Sequence, residues 1–316
     1  MPIVSAVIPC YNHGEYIDRA VDSVLNQTIK DIEIIIVNDG STDDYSKEKL
    51  KNYNKPKTKV LHTDNNGPSA ARNIGISHAN GMYVLALDAD DYFLPTFLEK
   101  AVVVFEQQAN VGVVACGIQQ FGLDSSRKMP RGGDVRSFLT PSGLAGSALL
   151  RKICWEQIGG YNESMKTAGY EDWNFWLDIT KRGWIVHVID EYLFCYNWQN
   201  GSRRTKLNKQ REESLAHVIR NHIDVFGKYV DLVILHKDAE VVAMRKQRDI
   251  LASSLEYRTG KKILRPIRFL QQQITKEYKY QNNSFIKLIF RIIACIKNKS
   301  IYTVYIFICD HIRDKI

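Results

Sequence analysis

The 316-residue sequence predicts an α/β fold, a mostly parallel sheet flanked by helices, followed by a C-terminal helical extension. Three observations carry that reading. Short apolar runs alternate with segments of helical spacing through the first 120 residues, and strands separated by helices imply a largely parallel sheet with helices on both faces. The runs lack the polar alternation of a half-exposed strand, as expected where both faces are covered. Charge then divides the chain: 19 basic and 24 acidic residues precede Arg203, while 24 basic and 11 acidic residues run from it to the end. The balance moves from −5 to +13, which suggests an acidic globular part and a basic appendage with separate roles.

Residues 4–9 form the first strand, and Ile17, Ala20, Val21, Val24 and Leu25 then recur at helical spacing. A second strand, 32–38, ends in Asp39-Gly40-Ser41-Thr42-Asp43, and 59–61 is a weaker third. After Gly67-Pro68 a small-residue helix carries Ala70, Ala71, Ile74 and Ala79 on one side. Residues 83–87 are the fourth strand. Phe97, Leu98, Ala101, Val104 and Phe105 pattern the next helix, and 111–118 completes the unit. The stretch 122–140, rich in Gly, Ser, Arg and Pro, reads as a flexible loop between two halves of the domain. Glu171-Asp172 opens an aromatic-rich helical pattern of Trp173, Phe175, Trp176, Leu177 and Ile179. Helices are expected over 215–225, 232–255 and 263–273, and two apolar runs, 285–296 and 301–309, follow.

The six cysteines are scattered without a CxxC or CxxH pair, which fits reduced thiols in a cytosolic compartment and argues against a disulfide or zinc framework. Met1-Pro2-Ile3-Val4-Ser5 has neither the basic nor the apolar region of a signal peptide, so none is expected. No apolar run reaches the roughly 18–20 residues of a spanning helix. Neither a GxxxxGK[ST] loop nor a GxGxxG after the first strand is present, so a nucleotide bound here must be held by side chains and metal.

Leu87-Asp88-Ala89-Asp90-Asp91 places three carboxylates directly behind a buried strand. Such a cluster repels itself unless a hard cation sits on it, and Mg²⁺ or Mn²⁺ prefers a few carboxylates with phosphate oxygens. A solvated turn closing the strand is the plainer alternative. In open α/β sheets ligands bind beyond the carboxyl ends of the strands, so Tyr11, Asp39 and Asp88 to Asp91 should converge on one crevice.

Several motifs carry a family resemblance. These are Val7-Ile8-Pro9-Cys10-Tyr11-Asn12, Ser23-Val24-Leu25-Asn26-Gln27-Thr28, Val37-Asn38-Asp39-Gly40-Ser41-Thr42-Asp43, Gly67-Pro68-Ser69-Ala70-Ala71-Arg72-Asn73, Leu87-Asp88-Ala89-Asp90-Asp91 and Gly169-Tyr170-Glu171-Asp172-Trp173. In order and spacing the chain resembles a family 2 glycosyltransferase of bacterial surface-polysaccharide type, with the Rossmann-like GT-A fold. The resemblance implies a catalytic domain at 1–202, made of a nucleotide-sugar-binding half (1–120) and an acceptor half (121–202), and a basic helical extension at 203–316.

The resemblance also implies roles. Pro9, Tyr11, Asp39, Arg72, Asp88 and Ala89 would bind the nucleotide sugar, with Tyr11 beside the base and Asp39 accepting from the base imide, which suits uracil or thymine. Core packing for Tyr11, turn or helix capping for Asp39 and a surface ion pair for Arg72 are the structural alternatives. Asp88, Asp90 and Asp91 match the DxD motif and would bind Mn²⁺ or Mg²⁺, with the direct ligand left open between Asp90 and Asp91. Gln199 stands where the family commonly has a metal-shell His. Asp172 would be the general base of an inverting transfer, and its alternative role is complementing the helix dipole. Glu171 and Trp173 are candidates for acceptor or supporting contacts. The loop at 122–140, with Arg127, Lys128, Arg131 and Arg136, either closes over donor, greets an anionic acceptor or is a solvated connection.

The function so implied is transfer from a nucleotide sugar, a UDP-sugar by expectation, to a glycan or lipid-linked acceptor in surface polysaccharide synthesis. The apolar runs edged by Lys287, Arg291, Lys297 and Lys299 suit peripheral attachment to an anionic membrane at the inner face of the cell; a helical pair folded on the domain or on a twin subunit is the alternative. Nucleic acid is not expected as a partner. The absence of QxxRW and of spanning helices disfavours a processive synthase. A metal-dependent nucleotidyltransferase would share the sheet and metal without needing Asp172, and a silent nucleotide- or glycan-binding protein would show no turnover.

Overall fold

The computed structural model describes residues 1–141, 143–165, 169–199 and 211–254. Its strands are β1 (Val4–Cys10), β2 (Ile32–Asp39), β3 (Thr58–Thr63), β4 (Tyr83–Ala86), β5 (Tyr92–Phe93), β6 (Val111–Gly122), β7 (Arg127–Lys128), β8 (Ala148–Arg151) and β9 (Ile185–Trp198). The helices are α1 (Ile17–Leu25), α2 (Asp44–Lys51), α3 (Pro68–Ser77), α4 (Phe97–Gln107), α5 (Lys152–Ile158), α6 (Glu171–Thr180), α7 (Arg211–Asn221), α8 (Ile223–Lys228) and α9 (Val230–Ser253).

Among the described residues the strands form one sheet in the order β3-β2-β1-β4-β8-β6-β9-β5, with β7 paired to β6. The first four run parallel, with Val4 opposite both Ile32 and Tyr83. This is the α/β architecture the alternating pattern predicts. The chain then inserts β8 antiparallel between β4 and β6, setting Ala148 opposite Ala86. β6 and β9 run parallel with bulges around Gly117. β8 and β9 are absent from the sequence-based reading, and β5 is a two-residue pairing with β9.

Because strand side chains alternate, the sheet feeds two cores. One face sets Ile8, Ile34 and Leu85 against Ile17 and Val21 of α1 and Phe97 and Phe105 of α4. The other sets Val7, Ile35 and Val84 against Ala71 of α3 and Phe175 and Trp176 of α6. α1 buries Ile17, Ala20, Val21 and Val24, the stripe its spacing predicts. α3 starts with Pro68 behind Gly67, the arrangement favoured at a helix N-terminus, and it lies so close to the sheet that a Cβ on Gly75 would stand 2.3 Å from Val7 Cγ1.

The stretch 122–140 contains β7 and a single 3₁₀ turn at Val135–Phe138, whose Phe138 is buried. The helix expected at 215–225 is two helices, α7 and α8, with a break at His222. Val218, Val225 and Phe226 of this pair enter the second core. The chain divides into two compact units, 1–237 and 238–316. The described part of the second unit is the continuation of α9 and Ser254. The expected helix at 263–273 and the apolar runs at 285–296 and 301–309 lie outside the described residues. No described helix is long and apolar enough to cross a membrane.

Candidate active site

The loops after β1 and β2 are fastened through Asn12. Asn12, in the left-handed region at φ 56°, accepts at Oδ1 from the backbone of Thr42 (2.7 Å) and Asp43 (3.2 Å), and its own N–H donates to Ser41 Oγ. Asn tolerates that conformation better than most residues. Pro9 is half-buried at the end of β1, and Tyr11 beyond it is exposed. Asp39, at the end of β2, is buried; its two oxygens accept from Asn66 N (2.9 Å) and Gly67 N (3.0 Å). It therefore holds the entry to α3, and a carboxylate so engaged keeps further lone pairs.

Arg72, on α3, is 3% exposed. Its Nη2 donates to Asp88 Oδ1 at 2.7 Å, and its Nη1 lies 3.5 Å from Glu171 Oε1. The guanidinium joins the end of β4 to the start of α6, which the sequence separates by more than 80 residues. Its Nε and Nη1 are buried without a hydrogen-bond partner. Ser147, just before β8, receives Asp88 N at its Oγ (3.3 Å). A Cβ on neighbouring Gly146 would lie 3.2 Å from Arg72 Nη2 and 3.7 Å from Asp172 Cβ, so backbone packs between Arg72 and Asp172.

Within Asp88-Ala89-Asp90-Asp91 the acids face different ways. Ala89 is buried. Asp91 is buried too, and its Oδ1 accepts from Asn197 N (2.8 Å), bracing β9. Asp90 is partly exposed, 4.0 Å from His13, and its backbone carbonyl accepts from Arg19 Nη2 (2.8 Å). Burial and the neighbouring carboxylates raise the pKa of both Asp90 and Asp91. Gln199 reaches the same edge, hydrogen-bonding the hydroxyl of Tyr16.

No group of three or more His, Cys, Asp or Glu among the described residues forms a ready-made metal cage. Asp88 and Asp90 nevertheless fit Mg²⁺ or Mn²⁺: they are accessible carboxylates whose crowding a cation would relieve. Such ions are commonly held by one or two carboxylates with phosphate oxygens and water.

α6 begins behind two left-handed residues, Gly169 (φ 92°) and Tyr170 (φ 84°), the second of which is strained for a residue with a bulky side chain. Glu171 Oε2 accepts from Gly169 N (2.9 Å) and so secures the turn. Asp172 is half-buried; desolvation and the adjacent Glu171 charge push its carboxyl up to about 7, although Trp173 N donates to Oδ1 at 2.7 Å. Trp173 is 5% exposed and donates through Nε1 to Phe138 O (2.7 Å), which makes it a packing residue here, as Trp176 is. Tyr161, Gly146, Ser147 and Arg19 join the cluster without a signal in the sequence, since a lone Tyr, a Gly-Ser pair and a helical Arg are ordinary residues there.

Comparisons with known proteins bear on the family and the fold. Residues 5–160 match the family model described as Glycosyl transferase family 2. The chain therefore carries a family 2 glycosyltransferase domain over those residues. It is 28% identical over 322 residues to the hyaluronan synthase of Pasteurella multocida, covering 98% of this chain and 32% of that protein. It is 28% identical over 274 residues to the uncharacterized glycosyltransferase EpsJ of Bacillus subtilis, covering 80% of this chain and 78% of that protein. The chain thus spans about a third of the length of the synthase. The crystal structure of S. aureus TarS 1-349 in complex with UDP-GlcNAc superposes with a TM-score of 0.55 at 22% identity, covering 65% of this chain and 61% of that one. The GT-A fold is therefore shared.

Proposed function

We propose that this chain is an inverting, metal-dependent glycosyltransferase that moves a sugar from UDP to a hydroxyl of a glycan or lipid-linked acceptor in surface polysaccharide synthesis. The observation that carries the reading is the clustering of carboxylates around Arg72: it bonds Asp88, the first of the DxD acids, and pairs with Glu171, whose neighbour Asp172 is a carboxylate pushed up to about 7. The synthase relative and the UDP-GlcNAc complex of the fold neighbour support the choice of donor and pathway.

In this reading Tyr11 lies along the base, and Asp39 accepts from the imide with a lone pair not given to Asn66 or Gly67. Asp88 and Asp90 would hold Mg²⁺ or Mn²⁺, which when bound neutralises the diphosphate leaving group. Asp91 holds β9 behind them. Arg72 orients Asp88 and offers its spare N–H groups to donor oxygens. Asp172 takes the proton of the acceptor hydroxyl as that oxygen attacks the anomeric carbon and the nucleotide diphosphate departs from the opposite face. The centre inverts in one step. The hexosyl or N-acetylhexosaminyl class of the sugar belongs to the same proposal, as does peripheral attachment of the basic extension to an anionic membrane.

Asp172→Asn tests the assignment. The variant should bind UDP-GlcNAc with Mn²⁺ as the unaltered protein does, yet lose roughly 10²–10⁴-fold in transfer to a working acceptor. Near-normal transfer would move the base elsewhere, with Glu171 the first candidate.

A further inference from the structure

Six buried side-chain polar atoms lack a hydrogen-bond partner among the described residues, and three of them sit in one place: Arg72 Nε, Arg72 Nη1 and Tyr161 Oη. A buried polar group left unpaired is costly, so such groups are rare in folded proteins and a local concentration of them calls for a ligand. Tyr161 is 2% exposed. Its ring stacks on Phe175 with centroids 3.6 Å apart at 5°, and its backbone N–H donates to Asn73 Oδ1 at 2.8 Å. The ring is held from both ends, so the hydroxyl has little freedom to find another partner.

Its surroundings define what it can meet. Arg72 Cζ lies 5.5 Å from the Tyr161 ring centroid. The charges of Arg72, Asp88, Asp172 and Glu171 all act on the hydroxyl. In the proposed reaction Asp88 lies at the leaving-group end and Asp172 at the attacking end, so the sugar being transferred would lie alongside this cluster. Gly146 packs closely against it, a Cβ there standing 3.2 Å from Arg72 Nη2 and 3.7 Å from Asp172 Cβ.

Building on the glycosyltransferase reading above, we infer that the Tyr161 hydroxyl hydrogen-bonds the transferred sugar of the donor and contributes to the choice of that sugar. Arg72 beside it supplies further donors, Nε without a hydrogen-bond partner and Nη1 held by its ion pair with Glu171 alone, so the site takes a ligand rich in acceptor oxygens, as a hexose with its hydroxyl or acyl substituents is. A site built to hydrogen-bond a substrate hydroxyl discriminates strongly against analogues without it, because its own polar groups are then left unpaired.

Tyr161→Phe removes only the hydroxyl and keeps the stack on Phe175. Binding is measured by calorimetry with Mn²⁺ present, using UDP alone and whichever of UDP-GlcNAc, UDP-glucose and UDP-glucuronate the unaltered protein binds most tightly. The expected result is affinity for the UDP-sugar weakened about three- to tenfold, affinity for UDP unchanged, and a ligand-free melting temperature equal to or above that of the unaltered protein. Equal affinity of both proteins for the UDP-sugar would overturn the inference while leaving the enzyme assignment standing. A matched loss for UDP and UDP-sugar would also overturn it, as would a ligand-free variant melting several degrees lower, since the hydroxyl would then serve the fold. If the unaltered protein binds UDP but none of the UDP-sugars, the donor reading fails, and this inference with it.

Discussion

At the scale of single residues, Asp172 as the proposed base would tie rate to pH. Its carboxyl, pushed up to about 7 by desolvation and the Glu171 charge, must lose a proton before it can accept one. We therefore expect kcat/KM to rise about tenfold per pH unit below that value and to level above it. Rates measured between pH 5 and 9 check this, and a profile flat across pH 7 would rule out Asp172 as the base. Stability runs the other way. The folded pKa stands above the ordinary value of 3.8, so the native state holds the proton more tightly than the unfolded chain. This group's contribution is complete below about pH 4 and is lost as pH rises through about 7. Asp172→Asn should thus melt at a higher temperature than the unaltered protein at pH 8 and gain much less at pH 4.

At the scale of elements, the β1 and β2 loops depend on Asn12. Asn12→Ala removes the acceptor for Thr42 N and Asp43 N and leaves a Cβ at positive φ without the local hydrogen bonds that stabilise it. We expect a loss of about 1–2 kcal/mol in chemical denaturation and weaker UDP binding. Asn12→Gly tolerates the φ and should recover part of the stability without the binding. Equal UDP affinity in all three proteins would show that the two loops are positioned independently. The elements around these loops were legible because their apolar periodicity is clean: β1, β2, β4, α1, α3 and α4 fall where the spacing puts them. β8 was not, since four residues behind a Gly-Ser stretch carry no period, and its place between β4 and β6 depends on pairing across more than 60 residues of sequence. Likewise the sequence offered Asp88, Arg72 and Asp172 as separate candidates. Only the assembled sheet brings the buried Arg72 guanidinium to Asp88 and to Glu171, the neighbour of Asp172.

At the scale of the whole molecule, the core residues run from Val4 to Phe226, with Leu232 and Val233 packed against them. Residues 1–237 should consequently fold alone, with a cooperative melt and UDP affinity close to those of the full chain. The basic excess from Arg203 onwards leads us to expect that vesicles containing phosphatidylserine capture the full chain, less so as salt is raised, at roughly 1 kcal/mol per basic residue near the surface. The 1–237 protein should stay in the supernatant, and equal sedimentation of both would remove the membrane proposal. β8 is hydrogen-bonded to β4 on one side and β6 on the other, so no hinge line separates the half that ends in Asp88 from the half that leads to Asp172. Domain closure commonly turns on a few loop or element-terminal residues that absorb large dihedral changes, whereas here a shared ladder spans the two halves. In the proposed reaction this ladder would brace the elements that carry Asp88 and Asp172 against each other. In that reading, entry and exit of substrates would fall to the loops at the rim, while the buried register of β8 holds the frame between them.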